Sequence, residues 1–443
     1  VIACVQMAMT LQKFSSAMRL HFARAALQMR LWLHRCAHIK WRKYDVVDFG
    51  FLLVLCASVG LLVYMISEIS ISYKEFIKLH SSESWLFVWL RVCVEIFGSS
   101  DYALRFSLIV VHIGNMSLMY LIGRIYLRKR RDSLFLVLLY ALLPGVNLSA
   151  LLLYESGFII FVLLAICFVQ LRFKKIPYVL ICLAGLLDLV FCVLFIALGV
   201  YAILHRKSKM LLTSLVGFGI NMFLYSSSIA GVPQAYALDV LGAFAMLFSP
   251  LLFLYYIYTL YAAITRHKDY SLMVLISVSG LIFSLLLSLR QEIDITKFAP
   301  LCVVGLPVLV YGFYNDMRVR LKMYRTRFRV RMGLVFLVLC FESFCLFGNK
   351  ITYLFSPQPN FARSYYIAKD VANALKSRGI EHLKVENSAL ALRLSFYGIE
   401  AGSAACLYEE STPISHKGEM IEIAYLGKIV ARYKLVRSNA CRI

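Results

Sequence analysis

Acidic side chains are scarce in this chain: 24 Asp and Glu stand against 47 Lys and Arg over 443 residues, a formal charge of +23. Only 16% of residues are charged and 61% are hydrophobic, with mean hydropathy +0.76, where soluble domains carry about 25% charged and 45 to 50% apolar residues. Those figures exclude a soluble globular protein. The twelve cysteines include no pair at CxxC spacing, which excludes the common zinc ribbons and thioredoxin-type redox centres. Most lie inside apolar runs and read as small packing residues. Only Cys406 and Cys441 share a polar region, where they are either paired, as exported cysteines commonly are, or free. No short apolar core near the start ends in a small-residue cleavage site, so the first membrane helix is expected to serve as the insertion signal.

The basic excess does not point to nucleic acid. It falls in short clusters between apolar runs, with no aromatic-laced basic face on which bases would stack. The tendency of Lys and Arg to stay on the cytoplasmic side of membrane helices accounts for it better. Residues 1–43 hold eight Lys or Arg and no acid, and read as a basic amphipathic arm lying on the cytoplasmic membrane surface.

Apolar runs near the roughly 20 residues that cross a bilayer recur along most of the chain. The first, VVDFGFLLVLCASVGLLVYMIS, covers 46–67 and leads into a polar loop, 68–103, placed outside by the basic arm. A second run, from about 104 to 126, returns to LRKRR; a third ends near Leu153; a fourth returns to RFKK. The stretch 176–204 leaves one basic cluster and ends at another within about 29 residues, where two full spans need about 40. Two short helices broken near Asp188 are expected there, with the broken backbone covered by protein. Further spans at about 210–225, 240–264, 271–289, 298–314 and 332–354 bring the total to about eleven membrane segments.

Beyond Ser356 the apolar density falls. Ile367, Val371 and Leu375 recur at helical spacing before Gly379, HLKVE reads as a strand, and MIEIAYLGKIVARYKLV as a hairpin around Gly427. The expected architecture is an all-α polytopic membrane protein with a small external α/β domain: an arm at 1–45, a membrane domain at 46–355 and a C-terminal domain at 356–443.

Acids and bases expected on the external face are few: Glu68, Glu75, His80, Glu83, Arg105, Glu155, Asp239, Arg290, Glu292, Asp294 and Lys297. Each alone reads as an interfacial residue, but together they converge on one membrane surface. Lys297 stands at the mouth of a helix containing Pro300 and Pro307, where an anionic group would be held against a broken helix end. Asp188 and Glu342 are acids within apolar sequence, costly to bury, and read either as functional candidates or as protonated or hydrogen-bonded structural acids. In EIFGSSDYALRFS, Asp101 and Arg105 stand four residues apart, either as an exposed helix-start pair worth about 0.3 to 0.5 kcal/mol or as a pair orienting the first loop over a site.

These elements carry a resemblance. The order of first span, acidic external loop, SWLFVWLRVCVEIFGSSDYALRFS, LLPG, YESG, the short broken pair and TKFAPLCVVGLP resembles the GT-C membrane glycosyltransferases of the protein mannosyltransferase and lipid A aminoarabinose transferase type, over nearly the whole chain. The most recognisable elements are FG-x-x-(D/E)-x-x-x-R at 97–105 and the basic-aromatic-x-Pro order of Lys297, Phe298 and Pro300. The resemblance implies transfer of a sugar from a polyprenyl-phosphate donor to a lipid, glycan or protein acceptor; no cofactor is expected to be required, and a divalent metal stays open although no ligand set for one is evident. It implies a bacterial inner membrane location, with the site and the C-terminal domain periplasmic. Glu68 matches the family's acid beyond the first span, which positions or deprotonates the acceptor, and Glu155 a second acidic position. The family's adjacent Asp-Glu pair is missing from SEISISYKEFIKLHSSESW, so Glu75 and Glu83 stand as alternative bases. Arg105, Arg290, Lys297 and His80 complete the expected substrate-binding set. The alternative reading is a transporter or a membrane scaffold. A transporter predicts internal repeats with matching mid-membrane polar residues, and none is evident.

Overall fold

A computed structural model describes residues 46–82, 84–225, 236–351, 353, 364–409 and 419–437. The basic arm at 1–45, Glu83 and Cys441 lie outside the described residues. The chain divides into units 1–49 and 50–443; of the first only 46–49 is described, as the opening turn of a helix, and the helical body and the C-terminal domain belong to the second.

Among the described residues the membrane part is built of helices. In chain order the helices are α1 (Val46–Glu68), α2 (Tyr73–Ser81), α3 (Trp85–Phe97), α4 (Asp101–Tyr126), α5 (Arg130–Leu142), α6 (Pro144–Leu151), α7 (Ser156–Phe173), α8 (Tyr178–Gly185), α9 (Phe191–Leu204), α10 (Ser208–Leu224), α11 (Ala237–Phe248), α12 (Pro250–Thr265), α13 (Leu272–Ser288), α14 (Ile295–Val303), α15 (Leu306–Val319) and α16 (Lys322–Phe347). Four of them, α1, α4, α7 and α16, are each long and apolar enough to cross a membrane, and the number rises to seven if the bent pairs α5–α6, α11–α12 and α14–α15 each count as one span. The chain is a multi-pass membrane protein.

Proline decides where the bent pairs break. Pro144, Pro250 and Pro307 each open the second helix of a pair, where a missing N–H costs nothing but continuation from the preceding helix would clash. The bends are 61°, 103° and 43°. The second corrects the expectation of one continuous span over 240–264: the chain turns at Ser249, whose φ of 73° lies in the left-handed region.

The fold-back at 176–204 is present as α8 and α9, with Asp188 in the turn between them. Breaking a helix in a membrane strands carbonyl groups, and α10 covers them. Asn221 donates its side-chain amide to Gly185 O (2.7 Å) and Asp188 O (3.0 Å), and the Tyr225 hydroxyl donates to Leu186 O (3.0 Å). The approach is close enough to need glycine, since a Cβ on Gly217 would lie 2.2 Å from the Phe195 ring.

The C-terminal domain contains α17 (Ala368–Lys376), β1 (His382–Val385), α18 (Ser388–Phe396), β2 (Glu400–Glu409), β3 (Glu419–Tyr425) and β4 (Lys428–Arg437) in a sheet of order β1-β2-β4-β3. β1 and β2 pair in parallel through the α18 crossover, His382 opposite Glu400, while β2–β4 and β3–β4 are antiparallel. The β3–β4 turn places Leu426 (φ 51°) and Gly427 (φ 78°) both in the left-handed region, as a two-residue hairpin turn demands. The expected first helix, first strand and hairpin are all present; α18 and β2 are additional. Cys406 is disulfide-bonded, and Cys441, the other cysteine of the polar region, lies outside the described residues. One apolar core runs from Leu62, Met65 and Ile66 of α1 through Leu151 to Val371, Leu375, Leu394, Ile421 and Tyr433 of this domain.

Candidate active site

Three loop and helix-end segments bring charge together. Glu155 stands immediately before α7, Asp188 in the α8–α9 turn, and Lys297 in the first turn of α14. Asp294 fixes where α14 starts, because its carboxylate accepts the Thr296 N–H (3.0 Å), an N-cap. The Lys297 ammonium then lies 2.5 Å from Asp188 Oδ2 and 2.9 Å from Glu155 Oε2. Asp188 accepts the Val190 N–H (2.9 Å), and the Ser84 hydroxyl donates to Glu155. Lys297 keeps 37% of its side chain exposed against 9% for Glu155 and 10% for Asp188, so the cation faces open space and the two carboxylates back it. Burial works to raise the Glu155 pKa, but the Lys297 ammonium and the hydrogen bonds from Ser84 and Lys297 outweigh it, and the net shift is downward.

The open space is a cavity of ≈ 240 Å³ whose lining includes Lys78, Ser84, Tyr154, Glu155, Asp294 and Lys297. Lys78 stands over the Tyr154 ring at 5.3 Å, a second cation on the cavity wall. A second cavity, of ≈ 170 Å³, shares Tyr154 and Thr296 with the first and is otherwise walled largely by apolar groups, among them Leu148, Leu247, Phe248 and Pro300. The α11–α12 bend supplies Leu247 and Phe248. A charged volume abutting a greasy one suits a molecule with a polar head and an apolar tail.

A second charged cluster lies behind that wall. Arg105 is wholly buried; its Nε donates to Leu151 O (2.8 Å), and its guanidinium meets Asp101 (3.3 Å) and Glu75 (3.6 Å). Asp101 also accepts the Tyr397 hydroxyl (2.8 Å) and pairs with Lys369 (3.0 Å), both from the C-terminal domain. Burial, then the charge of Asp101, pushes the Tyr397 pKa up, so the phenol stays a donor. Arg393 of α18 reaches back to the first loop, donating to Ile71 O (2.8 Å) and the Ser70 hydroxyl (2.9 Å). Glu75 forms a capping box with Ser72 at the start of α2 and accepts the Leu153 N–H (3.1 Å), two residues before Glu155. The Asp101–Arg105 pair is therefore no exposed ornament, and it fixes the first loop, the α6–α7 connection and the C-terminal domain to one another.

The sequence-selected residues thus separate. Glu155 and Lys297 line the cavity and meet there. Glu75 and Arg105 form the buried cluster. Glu68 sits apart, in an ion pair with Lys350, whose ammonium also lies over the rings of Tyr425 (4.6 Å) and Tyr366 (5.4 Å). His80 is exposed and bonds to Phe76 O (3.0 Å), and Arg290 is exposed beyond α13; neither lines the cavity. Glu83 lies outside the described residues. Glu342, on α16, leaves Oε2 buried with no hydrogen-bond partner among the described residues and is also away from the cavity. Ser84, Lys369, Arg393 and Tyr397 were not anticipated. The signals available were an arginine inside the otherwise apolar run LALRLSF and the S-x-x-E spacing of Ser72 and Glu75; Ser84 and Lys369 left none.

No family model and no curated protein matches the sequence. Among solved structures, ArnT from Cupriavidus metallidurans bound to undecaprenyl phosphate aligns over 89% of this chain and 98% of its own length, with TM-score 0.50 and 12% identity. The apo state of the same protein aligns over 88% and 98%, with TM-score 0.49 and 11% identity. The fold is GT-C-like. At that identity the likeness concerns architecture, a polytopic helical body with a small C-terminal sheet domain, as anticipated from the resemblance; roles for individual side chains rest on the geometry above.

Proposed function

We propose that the chain is a membrane glycosyltransferase that moves a sugar from a polyprenyl-phosphate donor to a lipid, glycan or protein acceptor. The observation that carries this reading is the pair of abutting cavities, one charged around Lys297 and one apolar, which match the phosphate head and the hydrocarbon tail of such a donor. The similar fold solved with undecaprenyl phosphate bound supports it.

In this reading Lys297 and Lys78 receive the donor phosphate. Lys297 exchanges carboxylate oxygens for phosphate oxygens as it does so, which leaves Glu155 without its counter-ion and raises its basicity. Glu155 then takes the proton of the acceptor hydroxyl while that oxygen bonds to the anomeric carbon. The anomeric carbon–oxygen bond to phosphate breaks, and its electron pair leaves with the polyprenyl phosphate, stabilised by the two ammonium groups. Glu68 and Glu75 act here through structure: the first is held by Lys350 and the second caps α2.

The direct test uses purified protein in nanodiscs with labelled polyprenyl-phosphate sugars, following carrier release and label in membrane acceptors. Turnover with at least one donor is expected; failure of every donor, with no retention of undecaprenyl phosphate, would sink the proposal. Lys297→Gln should slow turnover by roughly 10² to 10³, the range seen when one group that stabilises developing negative charge is removed.

We further propose that the C-terminal domain and the cavity face the outside, and that the loops after Tyr126, Phe173, His205, Thr265 and Met317 face the cytoplasm, because each of these five is basic. A membrane-impermeant maleimide should label Glu400→Cys in intact cells and Lys174→Cys only after permeabilisation. The opposite pattern would reverse the orientation and remove an externally acting enzyme.

A further inference from the structure

The run of basic residues leading into α16 is not used by the proposed chemistry. From Arg318 to Arg331 there are seven Lys or Arg and no acid. Among the described residues two of them have carboxylate partners, Arg318 with Asp132 and Arg320 with Asp316. Arg325 donates to Arg320 O (3.2 Å), while Lys322, Arg327, Arg329 and Arg331 are exposed. Among the described residues, five positive charges are left without a carboxylate partner at the end of an apolar helix.

Next to them is a cleft of ≈ 270 Å³ between α5, α12, α15 and α16. Its walls are apolar, including Phe135, Leu252, Phe313 and Phe336, and Arg329 is the charged residue in its lining. The α16 wall runs from Arg329 to Leu339, ten residues or about 15 Å of helix. Tyr255 also lines the cleft, and its hydroxyl is buried with no hydrogen-bond partner among the described residues. An apolar slot of this length, with a cation at its mouth and an unused hydroxyl in its wall, has the chemistry of a lipid site: hydrocarbon in the slot, phosphate at the arginine, and an ester oxygen for the tyrosine.

We infer that this cleft holds one acyl chain of an anionic phospholipid, with its phosphate bound by Arg329 and the neighbouring basic residues. Charge selects the lipid class. These five cations favour a headgroup with net negative charge over a zwitterion, as basic pockets beside membrane helices do. The site is at the far end of the bundle from Lys297: α4 starts at Asp101 in the buried cluster and ends at Tyr126, about 38 Å away along the helix, where the basic loops gather.

The test is native mass spectrometry of the full chain, freed from detergent after equilibration with phosphatidylglycerol or phosphatidylcholine of matched acyl chains. The wild type should retain one phosphatidylglycerol in preference to phosphatidylcholine. Arg329→Gln should weaken phosphatidylglycerol retention about fivefold, the effect of one basic residue near a phosphate surface, and leave phosphatidylcholine unchanged. Gly333→Leu places a side chain at the cleft wall where the glycine has open space, favours the helix over glycine, and should reduce retention of both lipids. Equal retention of the two lipids by the wild type, or variants that keep phosphatidylglycerol as the wild type does, would overturn the inference.

Discussion

If the proposed mechanism holds, Glu155→Gln is expected to slow turnover by roughly 10² to 10⁴, the range for loss of a positioned general base, with the fold retained. The amide keeps the shape and still accepts the Ser84 hydroxyl, and Lys297 keeps its contact with Asp188, so the site does not collapse. What disappears is the carboxylate that borders the charged cavity and can accept a proton there. The companion variant is Glu68→Gln, because the sequence resemblance places Glu68 at the position of the acid in GT-C glycosyltransferases. Its carboxylate is paired with Lys350 and is not in the cavity lining, so turnover should stay near that of the wild type. Measured kcat for both, with melting temperatures as a control for folding, separates the assignments. Should Glu68→Gln abolish transfer while Glu155→Gln leaves it intact, the base belongs to the first loop and Glu155 is a phosphate-side residue.

Arg105→Met should destabilise the protein by about 3 to 5 kcal/mol, the usual cost of removing one partner from a buried ion pair. Arg105 has no exposed surface, and among the described residues its loss would leave Glu75 with no cationic partner within contact, Leu151 O without the Arg105 donor, and Asp101 with Lys369 and Tyr397 alone. Methionine fills much of the volume, so a fall in stability reports the lost charge rather than a cavity. Because the cluster joins the first loop to Lys369 and Tyr397, the variant should also expose the C-terminal domain to proteolysis at temperatures where the wild type resists. An unchanged melting temperature and an unchanged protease pattern would mean that the exposed helix-start reading of this pair was sufficient after all.

Much of the architecture was legible because membrane helices are read by length and apolarity, quantities that do not depend on neighbours. The fold-back around Asp188 followed from arithmetic: too few residues lie between two basic clusters for two full crossings. The 103° turn at Ser249 was not legible in the same way. The run 240–264 is apolar throughout, and a single proline in such a run is compatible with a kink as well as with a reversal; packing chooses.

The site divides along the same line. Sequence alone set the chemical inventory of this protein: a membrane-embedded chain, few acids, and Glu155, Asp188 and Lys297 as costly charges near apolar sequence that must find partners. Tertiary structure alone decided the partnerships. Lys297 meets Glu155 and Asp188 across 142 and 109 positions, and Asp101 meets Tyr397 across 296, separations over which no periodicity carries information. The physical reason is that burying an unpaired charge is prohibitive whereas the identity of the partner is free, so composition fixes that a pair must form and only the packing of the helices fixes which pair it is.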